Sequence, residues 1–163
     1  MDKIIFLDID GILNCSKTFK ESFEINRHYR KYMDNSSYIY KLKCMLSEIS
    51  VDKVRLVKEI VDNTGAKIVI TSAWRKLRLF PLIEEYLVNK GLPIIDHTIN
   101  TGYRGEEIKK YINDNNIKDF IVIDDEIFDD YDDFILNRLI KTSFYEDGIN
   151  EEHIEEAIKI LKK

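Results

Sequence analysis

The chain has 163 residues, 44% of them hydrophobic, and a net charge of −5 at pH 7. Those values suit one domain with its own core, and they exclude a disordered chain and a uniformly basic nucleic-acid binder. The longest apolar runs are far short of the about 20 residues a membrane helix needs. Nothing at the start resembles a signal peptide, and Cys15 and Cys44 lack metal-type spacing, so the sequence reads as an intracellular, cytoplasmic protein with reduced thiols.

Residues 3–8, KIIFLD, form a short apolar run ending in an acid: a buried strand that delivers Asp8 to its carboxyl end, with Gly11 permitting a tight turn. Residues 51–64 place Val54, Val57, Ile60 and Val61 at helical spacing, with Ser50 as N-cap and Gly65 as stop. A second buried strand follows at 67–71, then a helix from about Leu79 to Lys90 closed by Gly91 and Pro93. A short strand is expected at 92–96, a helix over 106–116 and a strand at 119–124. A last strand falls near residues 138–142, before a helix capped by Asn150. Strands alternating with helices predict a parallel sheet covered on both faces, which binds ligands at the carboxyl ends of its strands. Asp8, Thr71 with Ser72, and Asp124 with Asp125 all stand at such ends.

FLDIDG alone is compatible with a strand and an Asp-Gly turn. In order along the chain, however, it is joined by ITS at 70–72, by Arg104 opening a helix and by VIDD at 122–125. As a set these resemble the four motifs of the haloacid dehalogenase (HAD) superfamily of aspartate-nucleophile phosphatases and phosphotransferases. The resemblance spans nearly the whole chain. It implies a HAD-like Rossmannoid α/β fold, a three-layer α/β/α arrangement around a parallel sheet, over residues 1–163, with a small cap or lid inserted at about 15–50.

Phosphoryl transfer needs an in-line nucleophile and neutralised charge, so a carboxylate beside Mg2+ can attack where a free one is repelled. Asp8 fits that role. Asp10 can protonate the leaving oxygen and then take a proton from water. Family members that cleave carbon–halogen bonds generally lack this second acid, so it favours a phosphate ester. Asp8, the Asp10 carbonyl, and Asp124 or Asp125 form the expected metal site, with the direct ligand of the last pair left open. Thr71 or Ser72 is expected to bind phosphoryl oxygens, Thr71 being favoured by motif position, although a strand-end hydroxyl also serves as a helix cap. Arg104 takes the position where the superfamily usually has lysine, with Lys109 or Lys110 as alternatives. Arg75 is a candidate phosphate clamp or a surface arginine. Trp74 reads as packing, no histidine is assigned to catalysis, and Asp129, Asp130, Asp132 and Asp133 read as a solvated loop.

FLDIDGILN, ITSAWR, RGEEIKKYI and VIDDE resemble more narrowly the HAD domain of Swiss-army-knife RNA repair proteins. At lower resolution they are similar to the 3′-phosphatase domain of polynucleotide kinase-phosphatase. No GxxxxGK[ST] sequence accompanies them, so a kinase half is not expected among these residues. Residues 17–43 carry +4 against −9 for the remainder, with Phe19, Phe23, Tyr29, Tyr32, Tyr38 and Tyr40 among the cations. Such a lid can hold a nucleic-acid backbone through Arg27, Arg30 and Lys31 and stack bases, or it can bury its aromatics and solvate its charges. The expectation is a Mg2+-dependent phosphomonoesterase acting through an aspartyl-phosphate on RNA or DNA 3′ ends, with no membrane and no obligatory protein partner. A phosphatase for a nucleotide or small phosphorylated metabolite is the second reading. A non-catalytic HAD-like binding module is the third, and the Asp8–Asp10 pair speaks against it.

Overall fold

Lys3–Leu7 is the central strand β1, and a computed structural model describes the chain around it over residues 3–32 and 37–162. Beyond β1 come α1 (Ser16–Arg27) and a 3-10 turn at Tyr29–Lys31, then α2 (Tyr38–Glu48) and α3 (Val51–Thr64). The chain continues through β2 (Lys67–Ile70), a 3-10 turn at Ala73–Lys76, α4 (Phe80–Asn89), β3 (Ile94–His97) and α5 (Arg104–Asn115). It closes with β4 (Asp119–Asp124), α6 (Asp133–Leu136), β5 (Leu139–Lys141) and α7 (Glu151–Leu161). The described strands form one sheet in the order β3-β2-β1-β4-β5, every neighbouring pair parallel.

Side chains alternate across the sheet, because successive strand residues point to opposite faces. Ile5, Leu7, Ile68, Ile70, Ile121 and Ile123 meet Val54, Val57 and Ile60 of α3, Ile83 and Leu87 of α4, and Ile154 and Ala157 of α7. Ile4, Phe6, Val69, Phe120 and Val122 point the other way, onto Ile108 and Ile112 of α5 and onto Tyr131 and Ile135. Both faces are therefore covered, which is the expected three-layer architecture. No described helix is long and apolar enough to cross a membrane.

The caps of α3 are those read from the sequence: Ser50 Oγ accepts from Lys53 N at 3.4 Å, and Gly65 ends the helix at φ +70°. The acidic loop after β4 departs from its reading as merely solvated. Asp132 Oδ1 caps α6 by accepting from Ile135 N at 3.3 Å, and Asp130 Oδ2 accepts from Glu106 N at 2.9 Å. At Gly105 a Cβ would stand 2.5 Å from Asp130 O, so the missing side chain lets this loop lie against the start of α5.

Candidate active site

Backbone bonds align the ends of the three inner strands. Asp8 N donates to Ile123 O (3.1 Å) and Thr71 N donates to Leu7 O (2.9 Å). Asp8, one residue beyond β1, is buried, and its Oδ1 accepts from Ile9 N at 2.8 Å. At the end of β4, Asp124 is inaccessible to solvent. Its Oδ1 accepts from Glu126 N at 3.0 Å, and its Oδ2 accepts from the Tyr131 hydroxyl and from Arg104 Nη1, each at 3.1 Å. Arg104 Nη1 also donates to Thr71 Oγ1 at 3.2 Å and lies 3.7 Å from Asp8 Oδ2, with the guanidinium 4.8 Å above the Phe128 ring. Of the cations considered for this position, Arg104 is the one that reaches the strand ends. Lys109 Nζ bonds Asp132 at 3.1 Å and Lys110 Nζ bonds Asp114 at 2.7 Å.

Asp8, Asp124 and Asp125 each bring a carboxylate oxygen within 4.8 Å of the others. Burial raises the Asp8 pKa above the usual carboxylate range, with Arg104 and a Ser72 hydrogen bond opposing. Asp124 is pushed up to about 7 by burial and then by the Asp8 charge, again against Arg104. Asp125 is raised by burial and Asp8, with Lys141 pulling the other way. Three acids that repel one another in a poorly solvated site are a donor set of hard oxygens, and a divalent cation among them would relieve both penalties. The residues therefore fit Mg2+. Gly11 makes room for this cluster, because at φ +70° any Cβ there would collide with the Asp125 side chain.

Asp10 is held from two sides. Trp74 Nε1 donates to its Oδ2 at 2.9 Å and Asn14 Nδ2 to its Oδ1 at 2.8 Å, while Asn14 Oδ1 accepts from Gly11 N at 2.9 Å. Trp74 does pack in the core, as expected, but its ring nitrogen also positions an acid. Asp8 and Asp10 line one cavity of about 420 Å³ with Arg75, Arg104 and Asp125.

Neither reading of Arg75, phosphate clamp or surface arginine, accounts for its bonding. Its Nε donates to Thr98 O (3.0 Å), Nη1 to Thr71 O and to Ser72 O (2.7 Å), and Nη2 to Glu107 Oε2 (2.5 Å). Four of its five N–H groups are thus spent inside the protein, and both side chains of the Arg75–Glu107 pair are almost wholly buried. Arg75 braces the ends of β2 and β3 and leaves little for a substrate.

Arg27 and Arg30 are not gathered with the carboxylates. They line a neighbouring cavity of about 310 Å³ between α1 and α2, where Arg27 pairs with Glu24 at 3.5 Å. The side chain of Lys31 lies outside the described part of the structure. Sequence reasoning missed Asn14, Tyr131 and Glu107 as positioning residues. Asn14 stands one helical turn after Asp10, a spacing that could have flagged it, whereas nothing local marks the other two.

A parallel sheet in this order, with acids beyond its two inner strand ends, a hydroxyl beside them and an arginine reaching in from a helix start, defines a HAD-type domain. The chain belongs to the family described as "HAD domain in Swiss Army Knife RNA repair proteins", which matches residues 4–154. That membership supports a phosphatase-type hydrolase. No curated protein and no solved structure matches the chain.

Proposed function

We propose that the chain is a Mg2+-dependent phosphomonoesterase that works through an aspartyl-phosphate on Asp8 and acts on nucleic-acid 3′-phosphates in end repair. The observation that carries the reading is the pair of acids on one cavity. Asp8 sits buried at the strand end, and Asp10 is fixed beside it by Trp74 and Asn14. A module that only bound phosphate would have no use for the second acid.

An Asp8 carboxylate oxygen attacks phosphorus, the bond to the ester oxygen breaks, and that oxygen takes a proton from the Asp10 carboxyl. Each Asp10 oxygen accepts one N–H and keeps a second lone pair, so the group is oriented without losing the capacity to carry the proton. Water then attacks the phosphorus of the acyl phosphate and passes a proton to Asp10, releasing inorganic phosphate and restoring Asp8. Arg104 lies where it can offset charge on the transferring group, and Ser72 and Thr71 are the nearby hydroxyls. A magnesium ion held by Asp8, Asp124, Asp125 and the Asp10 carbonyl would neutralise phosphate charge ahead of attack. The choice of nucleic acid rests on the family's RNA-repair description and on the cationic Arg27 and Arg30 beside the site.

Acid quenching of the enzyme during turnover of a 3′-phosphorylated oligonucleotide should trap a phosphate on Asp8, and Asp8→Asn should lose both the adduct and at least about 10⁴-fold in kcat. Turnover of that variant near the wild-type rate would end the covalent reading. Chelation should stop wild-type activity, and added Mg2+ should restore it.

A further inference from the structure

Asp10 and Asp125 border a second cavity, of about 490 Å³, that Asp8 does not line. Its size falls within the roughly 300–1,000 Å³ of small-ligand sites. Aromatic groups from two distant parts of the chain form its wall: Phe19 of α1, and Phe144 and Tyr145 from the loop after β5. Phe19 and Phe144 meet edge to face at 6.5 Å, and Phe144 and Tyr145 do so at 5.4 Å. Phe19 is 49% exposed and Tyr145 84% exposed, so these rings do not close a core of their own. They present open faces beside the proposed leaving-group acid.

We infer that this cavity is a nucleoside subsite, in which Phe19 and Tyr145 hold the base of the nucleotide whose phosphate Asp8 attacks. The inference rests on the proposed role of Asp10: if it protonates the ester oxygen, the leaving group lies on its side of the phosphate, and of the two cavities that Asp10 lines this is the one away from Asp8. Phe19 and Glu48 are shared with the next cavity, where Arg27 and Arg30 stand. The sequence of surfaces is therefore acids, aromatic wall, cations, which matches a terminal phosphate, its nucleoside and the next phosphate of a strand. A small sugar phosphate would leave the aromatic wall unused.

The test compares thymidine 3′-monophosphate with glycerol 2-phosphate, which carries no ring, in the wild type, in Tyr145→Ala and in Phe19→Ala/Tyr145→Ala. Wild type should favour the nucleotide. The double variant should lose on the order of tenfold in kcat/KM for it, through KM, while glycerol 2-phosphate hydrolysis stays unchanged. Because Tyr145 is so exposed, its single variant should fold normally and show the same selective loss in smaller measure. Trp74 is the chain's single tryptophan and lines the cavity, so its fluorescence in an Asp8→Asn background reports nucleotide binding without turnover. The dissociation constant there should rise by a similar factor on removing the two rings. Equal losses on both substrates, or unchanged KM and binding, would overturn the subsite. If wild type hydrolyses neither these compounds nor a 3′-phosphorylated oligonucleotide, the phosphatase reading fails, and the binding shift alone then decides whether the cavity takes a nucleoside.

Discussion

At the strand ends Asp8, Asp10, Asp124, Thr71 and Arg104 each hold, or are held by, a neighbour. The helices α1 and α2 are assembled differently: α2 buries no residue fully, and α1 buries only Ser22 and Asn26. Where the two helices meet, Asn26 Nδ2 donates to Ser22 O at 2.8 Å and to Ser47 Oγ at 2.7 Å, and Ser47 Oγ donates to Cys44 O at 2.7 Å. Asn26 Oδ1 is buried with no partner among the described residues. A polar seam of this kind gains little from burial. The contrast is between a densely bonded group of side chains at the strand ends and a pair of helices that bury little.

Breaking the densely bonded side should cost most. Asp10→Asn puts an NH2 where one oxygen now accepts, facing Trp74 Nε1 or Asn14 Nδ2, so it keeps one of the two contacts and cannot cycle a proton, and kcat should fall on the order of 10²–10⁴-fold on every phosphate ester. Loss confined to oligonucleotides would contradict its assignment to the common chemistry. Arg75→Ala leaves Glu107 buried without its partner and should lower unfolding free energy by about 3–5 kcal/mol in denaturant titrations. A variant of normal stability that failed only in phosphate binding would restore the clamp reading.

On the helical side, replacing Arg27, Arg30 and Lys31 together with glutamine should leave aryl phosphate hydrolysis alone. For a 3′-phosphorylated oligonucleotide it should raise KM and lower the log–log salt slope of binding by about 2. Equal losses on both substrates would assign these residues to general support of the site. The smallest effect concerns Glu48, whose pKa burial, and then the Asp10 charge, push up to about 7 from an ordinary 4.5. Its ionised form is disfavoured in the fold, so the protonated state costs nothing at low pH and stability is lost as pH rises from about 4.5 to 7. Glu48→Gln should therefore match wild type near pH 4 and exceed it at pH 8 by about 1–2 kcal/mol after allowance for solvent screening, measured in chelator. The same difference at both pH values would refute the burial account.

What the sequence made legible was whatever is encoded locally. The runs at 3–7, 67–70 and 119–124 are apolar because strands covered on both faces need no alternation. The helix at 151–161 announces itself through Asn150, whose Oδ1 accepts from His153 N at 3.2 Å while His153 Nδ1 accepts from Asn150 N at 3.1 Å. Strand-end acids follow from those strands, so residue order places Asp8, Asp124 and Asp125 at one end of the sheet, while their reading as a metal site comes from the HAD resemblance. The remainder depends on partners far apart in the chain. Arg75 is a brace only because Glu107 arrives beside it, Trp74 reaches Asp10 across the ends of two strands, and Tyr131 meets Asp124 through a loop turn. The short helix α6 and the 3-10 turn at 73–76 are too brief for periodicity to declare.

Gly11 O accepts from Thr142 Oγ1 at 2.8 Å, Ile12 O accepts from Ile149 N at 3.4 Å, and a Cβ at Gly148 would stand 3.1 Å from the same two carbonyl oxygens. The loop that carries both acids is thus fastened by a stretch made some 130 positions later in synthesis. Long-range closures of this sort come late, because the entropy of the intervening chain must be lost before the contact repays it. A nascent chain that has emerged through α5 can already contain Asp8 and Asp10 yet lacks the clasp that shapes their turn.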